Sequence, residues 1–265
     1  MQPLIFISND DGIHSPGLKA AAESVHMLGE LIVAAPSNQQ SAMGGSLCGD
    51  RSDCFHPLEY EAGGKRIPAF HTDYSPAQVL IHGLEVLCPQ RKPDLVISGF
   101  NYGENLGASV LASGTVGVAL RAASKGIPAI AVSMEVEQQY HFEYGAIDWS
   151  AAIHFAHFFA GAVLSQKMPF DVDVLKIDVP LTATSETPWK ITRVSRTNHF
   201  SSFIESPTLD TARDAAQVRV CDPENTEKDS DIYALMVERV VSVTPLSLNM
   251  TSRVDSQVLH ETLSS

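Results

Sequence analysis

A chain of 265 residues, 44% hydrophobic and 18% charged, has the composition of a globular protein with room for a substantial core, and not that of a disordered or fibrous one. Its formal net charge of -13 argues against nucleic-acid polymers or anionic membrane surfaces as partners, because these are bound by surplus Lys and Arg. A small phosphorylated ligand stays open, provided a cation neutralises it locally.

No stretch approaches the roughly 18 apolar residues of a membrane span, and no basic n-region leads into a long apolar run. The expected location is cytoplasmic. Cys48, Cys54, Cys88 and Cys221 form no C-x-x-C pair and keep no regular spacing to histidine, so scattered reduced thiols are expected in place of a zinc knuckle or redox pair. The ten histidines contain no H-E-x-x-H or similar helical pair and read as surface or satisfied core groups.

In chain order, apolar runs at residues 4–8, 31–35, 95–98, 129–133 and 172–178 are bounded by Gly, Pro or Asp. Near-continuous Ile/Val/Leu runs of this length suit strands covered on both faces. Between them, residues 17–28, 76–87, 115–125 and 148–164 place apolar side chains at helical spacing. The alternation predicts an α/β fold, a Rossmann-like, doubly wound, mostly parallel sheet over residues 1–180. After Pro180, residues 189–194, 217–221 and 232–243 read as strands without long helices between them. Residues 197–214 are polar without a period, and 253–263 read as a short helix. The stretch 181–265 is therefore expected to be a β-rich C-terminal extension, either an arm that pairs with another subunit or an excursion on the same sheet.

Three polar loops follow three of these strands, and in a doubly wound sheet ligands sit beyond the carboxyl ends of the strands. The first loop is Asn9-Asp10-Asp11-Gly12. Adjacent carboxylates repel unless a cation or a group of donors compensates them, which makes Asp10 and Asp11 candidate ligands of Mg²⁺ or Mn²⁺. The same residues also build ordinary surface turns. The second loop, 35–45, holds Ser37, Asn38, Gln39, Gln40 and Ser41 ahead of Gly44 and Gly45, and can supply a neutral oxygen ligand. The third, 98–107, sets Asn101 and Asn105 among Gly99, Gly103 and Gly107. Ser113-Gly114-Thr115 then opens a helix, where N-terminal amides form an anion site, unless Ser113 serves only as an N-cap.

Taken in this order, the motifs resemble those of the SurE family, the survival-protein nucleotidases. The most specific are Ser98-Gly-Phe-Asn-x-Gly-x-Asn-Leu-Gly107 and Ser113-Gly-Thr-Val116. Further echoes are Leu175-Lys-Ile-Asp-Val-Pro180, Ile191-Thr-Arg193, Ser230-Asp-Ile-Tyr-Ala234 and Val241-Ser-Val-Thr-Pro-Leu246, so the likeness runs over most of the chain. The resemblance implies a metal-dependent phosphomonoesterase that hydrolyses nucleoside 5′- and 3′-monophosphates. It implies one divalent cation per subunit, Mg²⁺ or Mn²⁺, held by Asp10, Asp11, Ser41 and Asn101. The substrate phosphate would lie against Asn9, Asn105, Ser113, Gly114 and Thr115, with Asp10, Asp11 and Asn105 as the catalytic set. Metal-bound water is the expected nucleophile, a carboxylate the other route. The family also implies homodimers or homotetramers formed by exchange of C-terminal segments.

Three positions depart from the family's pattern. Gln78 stands where an aspartate is common, Ala112 where an aromatic is, and Lys176-Ile-Asp-Val-Pro180 where Asn-Val-Asn-Val-Pro is usual. None is an implied metal ligand, so they bear on substrate choice and subunit contacts. The alternative reading is a nucleotide-binding relative altered in catalysis, or a phosphatase for another ester. A receiver-like signalling module would need a third aspartate at the end of a central strand, and Asp94 precedes its strand. A dinucleotide oxidoreductase would need G-x-G-x-x-G after the first strand, which is missing.

Overall fold

The structure is a computed structural model that describes residues 2–141, 143–212 and 215–264. Strand β1 (Leu4–Ser8) leads through helix α1 (Pro16–Val25) to β2 (Glu30–Pro36). Then come β3 (His56–Leu58), the small ladder of β4 (Glu61–Ala62) and β5 (Lys65–Arg66), and β6 (Ala69–Thr72). The alternating core continues with α2 (Pro76–Val86), β7 (Leu95–Tyr102), α3 (Gly114–Ser124), β8 (Ala129–Met134), α4 (Ser150–Ser165) and β9 (Val174–Val179). Beyond it follow β10 (Trp189–Ile191), β11 (Phe200–Phe203), β12 (Gln217–Val220), α5 (Asp231–Met236), β13 (Val241–Leu246) and α6 (Ser256–Leu263).

The main sheet runs β10-β13-β9-β8-β7-β1-β2-β6-β3. From β6 to β9 all neighbours are parallel. The α/β expectation therefore holds, with a physical reason visible in β1. Its side chains alternate, so Leu4 and Phe6 join the core under α2 and α3, while Ile5 and Ile7 join the core under α1 and α4. Every residue of β1 is buried, which is why no polar alternation interrupts the run. Each such side chain contributes roughly 2 kcal/mol by leaving water. Pro16 and Pro76 start their helices at the position where a missing N–H costs nothing, and Ser113 caps α3 through a bond from the Val116 amide.

Several elements differ from expectation. The third apolar run continues as strand through Tyr102, with a register irregularity between Ser98 and Asn101, so the first half of the expected loop belongs to β7. Strands β3 and β6 were not anticipated, being short pieces with Pro57 inside one and two half-buried residues in the other. Residues 232–243, expected as one strand, split into α5 and β13. Ser230 accepts from the Tyr233 amide and Asp231 sits in the first turn, so a cap starts a helix where the apolar spacing alone fits either form. Ile232 and Leu235 then face Leu106.

After Pro180, β13 pairs antiparallel with β9, and β10 joins β13, so the main sheet extends across the expected 1–180 boundary. What stands apart is the β11–β12 hairpin and α6. Strand β11 lies inside the stretch 197–214, which was expected to be polar without a period, and Arg213 and Asp214 at its end lie outside the described residues.

Candidate active site

The strand order reverses between β1 and β7: the chain first builds outward through β2 and β6, then returns to place β7 on the other side of β1. A crevice opens at such a switch point. Asn9, Asp10 and Asp11 follow β1 there, and Asn101 ends β7 beside them. Contacts join the first loop to the end of β7 and to the start of α3, where Asp11 meets the Tyr102 amide and Asp10 meets Thr115; no such contact ties Ser41 or Asn105 to the two aspartates among the described residues.

Asn9 shapes the first loop. Its side chain accepts from the Gly12 amide at 3.1 Å and donates one amide hydrogen to the Gly12 carbonyl at 3.2 Å, which closes the turn. Gly12 itself has φ +101°, a conformation that favours glycine, and a side chain there would meet the backbone of Asn38. The second loop is thus packed directly behind the first, and the Gln40 amide donates to the Asp10 carbonyl at 2.7 Å. Ser41, next in the chain, is exposed in a turn.

Asp10 and Asp11 are 6% and 2% exposed. Asp10 Oδ1 accepts from Thr115 Oγ1 at 2.5 Å, and the Gly114 and Thr115 amides at the start of α3 also favour its charged form. Asp11 accepts from the Tyr102 amide and from Gln39 Nε2, each at 3.0 Å, while its carbonyl accepts from the Tyr144 hydroxyl at 2.6 Å. These donors do not offset burial. Loss of solvent raises Asp10 above the usual carboxylate range, and loss of solvent together with the Asp10 charge pushes Asp11 up to about 8. No cationic side chain contributes to either shift. Two buried, mutually repelling carboxylates with oxygen donors around them fit a hard divalent cation, which would restore both to the ionised form.

Asn101 is half-buried and donates its amide nitrogen to the Gly103 carbonyl at 2.7 Å, leaving its side-chain oxygen as the ligand-competent atom. Asn105 is held twice: its backbone amide donates to Asp178 Oδ1 and its side-chain amide to Ser133 Oγ, both at 2.8 Å. Ser113 caps α3 at 3.1 Å from the Val116 amide, so the plain capping role is present, and Thr115 turns its hydroxyl onto Asp10. Gly114 passes so close to Asp10 that an added Cβ would lie 2.6 Å from Oδ2.

Sequence reasoning did not assign Gln39, Tyr144, Ser133, Lys176, Asp178 or Asp231. Gln39 lay inside the second loop without a feature to separate it from Gln40, and Tyr144 reaches the site from 133 positions away. Lys176 and Asp178 did stand out, as departures from the family's pattern. The structure also gathers Asp53, Cys54 and His56 at the sheet edge near β6. There the two Asp53 carboxylate oxygens already accept from Thr72 Oγ1, the Asp73 amide and His56, so the group anchors its loop. Two surface hollows of about 460 Å³ open near the starts of β8 and β9 and of β1 and β2, at the opposite edge from the aspartates.

A family model described as survival protein SurE matches residues 5–201. A 5′-nucleotidase SurE of Methanosarcina acetivorans is 38% identical over 268 residues, covering 96% of each chain. That of Methanocella arvoryzae is 39% identical over 253 residues, covering 94% of this chain and 93% of its own. The crystal structure of the Sure protein from Aquifex aeolicus superposes with a TM-score of 0.75 at 27% identity, over 99% of this chain and 100% of the other.

Proposed function

Because the chain belongs to the survival protein SurE family and is an enzyme of the 5′-nucleotidase kind, we propose that it is a metal-dependent phosphomonoesterase acting on nucleoside 5′- and 3′-monophosphates. One observation carries the metal dependence: Asp10 and Asp11 are buried side by side at the strand switch point, and among the described residues no cationic side chain compensates them. Asp10, Asp11, Ser41 and Asn101 are the residues that would hold one Mg²⁺ or Mn²⁺. When bound, that cation would orient the phosphoryl group and make water a better nucleophile at neutral pH.

The chain's own groups supply the rest. The Gly114 and Thr115 amides at the start of α3 are turned onto the Asp10 carboxylate, and a phosphate bound beside Asp10 would lie near the positive end of that helix. Ser113 keeps that helix start in place through its cap. Asn105 bonds Ser133 through one amide hydrogen, and its second is free to donate to a phosphoryl oxygen as charge builds. Gln39 and the Tyr102 amide fix the Asp11 carboxylate, and Thr115 fixes that of Asp10. Asn9 acts here by closing the loop that carries both aspartates.

The wider assignment follows the same reading. Helix α6 is exposed throughout, with Val258, Leu259 and Leu263 open to solvent, and it supports a homodimer or homotetramer built through C-terminal exchange. All four cysteines are free, which suits a cytoplasmic enzyme, and no helix of the described residues is long and apolar enough to cross a membrane.

The test is a panel of nucleoside monophosphates and an aryl phosphate, assayed for phosphate release after chelation and after re-addition of Mg²⁺ or Mn²⁺. Nucleotide hydrolysis that is abolished by chelation and restored by metal is expected. No release from any ester under any metal would leave a binding protein in its place, and a monomer by sedimentation would refute the exchange.

A further inference from the structure

Three ionisable side chains lie beneath the Asn105 loop with no exposed area: Lys176, Asp178 and Asp231. Lys176 Nζ bonds Asp178 Oδ2 and sits 3.1 Å from Asp231 Oδ2. The two carboxylates spend their remaining capacity on backbone. Asp178 Oδ1 accepts from the Asn105 amide at 2.8 Å; Asp231 accepts from the Gly107 amide on Oδ2 and from the Ser195 amide on Oδ1, both at 3.0 Å. The cluster thus joins β9 and the start of α5 to the loop between β7 and α3.

Fold stability does not account for it. Buried ion pairs gain little over apolar residues of similar volume, because desolvation consumes the Coulomb gain. Apolar residues, however, cannot accept the Asn105 and Gly107 amides, and a buried unpaired amide is costly. A second anchor reaches the same loop from residues 197–199, where His199 Nε2 meets Glu104 Oε1 at 3.0 Å and the Ala108 amide donates to the Thr197 carbonyl at 3.0 Å. The loop is held at both ends while the Asn105 side chain lies between them.

We propose that Lys176, Asp178 and Asp231 are positioning residues for phosphate binding: Asp178 fixes the backbone of Asn105, and Lys176 keeps the two carboxylates that grip the loop in place. The proposal rests on the reading of Asn105 as a phosphate donor. Lys176 and Asp178 carry charges where the family's pattern has amides, so this chain ties its loop with an ion cluster of its own. Burial raises the Asp178 carboxyl to about 6, with Lys176 working against the rise, and against the pull of burial the two carboxylates hold Lys176 above the usual lysine value, so the Lys176–Asp178 pair is charged at neutral pH.

The experiment compares Lys176→Met/Asp178→Asn with Lys176→Met/Asp178→Ala. Both leave Asp231 as the one ionisable side chain of the three, and differ in whether position 178 offers an oxygen to the Asn105 amide. Affinity for inorganic phosphate is measured by calorimetry on the Mg²⁺-loaded full-length protein, with KM and kcat alongside. We expect phosphate to bind about tenfold more weakly to the alanine form, the worth of one buried hydrogen bond, with KM rising, kcat changing less and the Mg²⁺ affinity the same in both. Equal phosphate affinity in the two forms overturns the proposal. Asp178→Ser, which keeps the lysine and whose hydroxyl is too short to reach the amide, carries the same expectation if either double variant fails to fold. Asn105→Ala separates the two readings: if it leaves phosphate affinity unchanged, Asn105 is not a phosphate donor; if it weakens binding while the position 178 pair match, only the positioning role falls.

Discussion

Gly114→Ala sets two effects against each other at one atom. Gly114 opens α3 with an ordinary helical φ, so alanine fits the backbone and would stabilise the fold by about 0.4–1 kcal/mol through the unfolded chain. Its Cβ, however, would lie 2.6 Å from Asp10 Oδ2, 2.7 Å from Asp10 Cβ and 2.9 Å from Asp10 Cγ. Ordinary contact begins at 3.4 Å, so the carboxylate must retreat by about 0.8 Å from a position where Thr115 holds it at 2.5 Å. Overpacking of this kind costs roughly 1–3 kcal/mol, which leaves a net loss of at most about 2.6 kcal/mol, within the stability of an ordinary domain. Function should suffer far more, since a displacement near 1 Å at a reacting group costs on the order of 100-fold in rate. The assay is kcat/KM on a nucleoside 5′-monophosphate at saturating Mn²⁺, with metal affinity by calorimetry and the thermal midpoint alongside. Activity within threefold of wild type, with metal affinity unchanged, would refute the argument that this glycine exists to admit Asp10.

Gly161→Ala is the matching control: nothing lies within 4 Å of the added carbon in the interior of α4, so the midpoint should rise by about 2–4 °C with activity unaltered. Thr115→Val keeps the shape and removes the donor to Asp10, and should lower kcat/KM about tenfold or more while metal affinity also drops, both read by titration with Mn²⁺. Asp10→Asn should abolish metal binding and hydrolysis yet leave the metal-free protein at least as heat-stable as wild type, because it removes one of two buried, mutually repelling carboxylates. A lower midpoint for that variant would count against the repulsion. With a thiol reagent at neutral pH, exposed Cys48 and Cys54 should react first. Cys88, whose thiol burial pushes up to about 11, should react only on unfolding, as mass mapping of the labelled peptides would show.

Much of the fold was legible because the relevant physics is local. A strand covered on both faces must be apolar at every position, and β1 and β8 are buried throughout. Helices under Pro16, Pro76 and Ser113 carry their start signals in two or three adjacent residues. The elements that escaped were those whose state is set by neighbours. Strand β6 forms because the edge of β2 is there to pair with, and in residues 231–236 Ile232 and Leu235 pack on Leu106, whereas the Ser230 cap that starts this helix was a local signal passed over. Strand β10 was seen and β13 only in its first three residues, and the place of both in the main sheet depends on the free edge of β9, which β13 meets across more than 60 positions of chain.

The candidate site divides in the same way. Asp10-Asp11, Asn101, Asn105 and Ser113-Gly114-Thr115 stand in the sequence as residue types with a chemistry, and their order along the chain is enough to suggest one ligand. By itself the sequence determined the element types of the core, the acidic pair and the glycines that admit close approach, because each follows from the nature of a residue and its immediate neighbours. Only the tertiary structure decided that the two aspartates are buried together, that Gly114 lies against Asp10, and that Lys176 and Asp178 meet Asp231 under the Asn105 loop. Those facts arise from desolvation and from contacts across 50 to 125 positions of chain, and neither is encoded in any short stretch of residues.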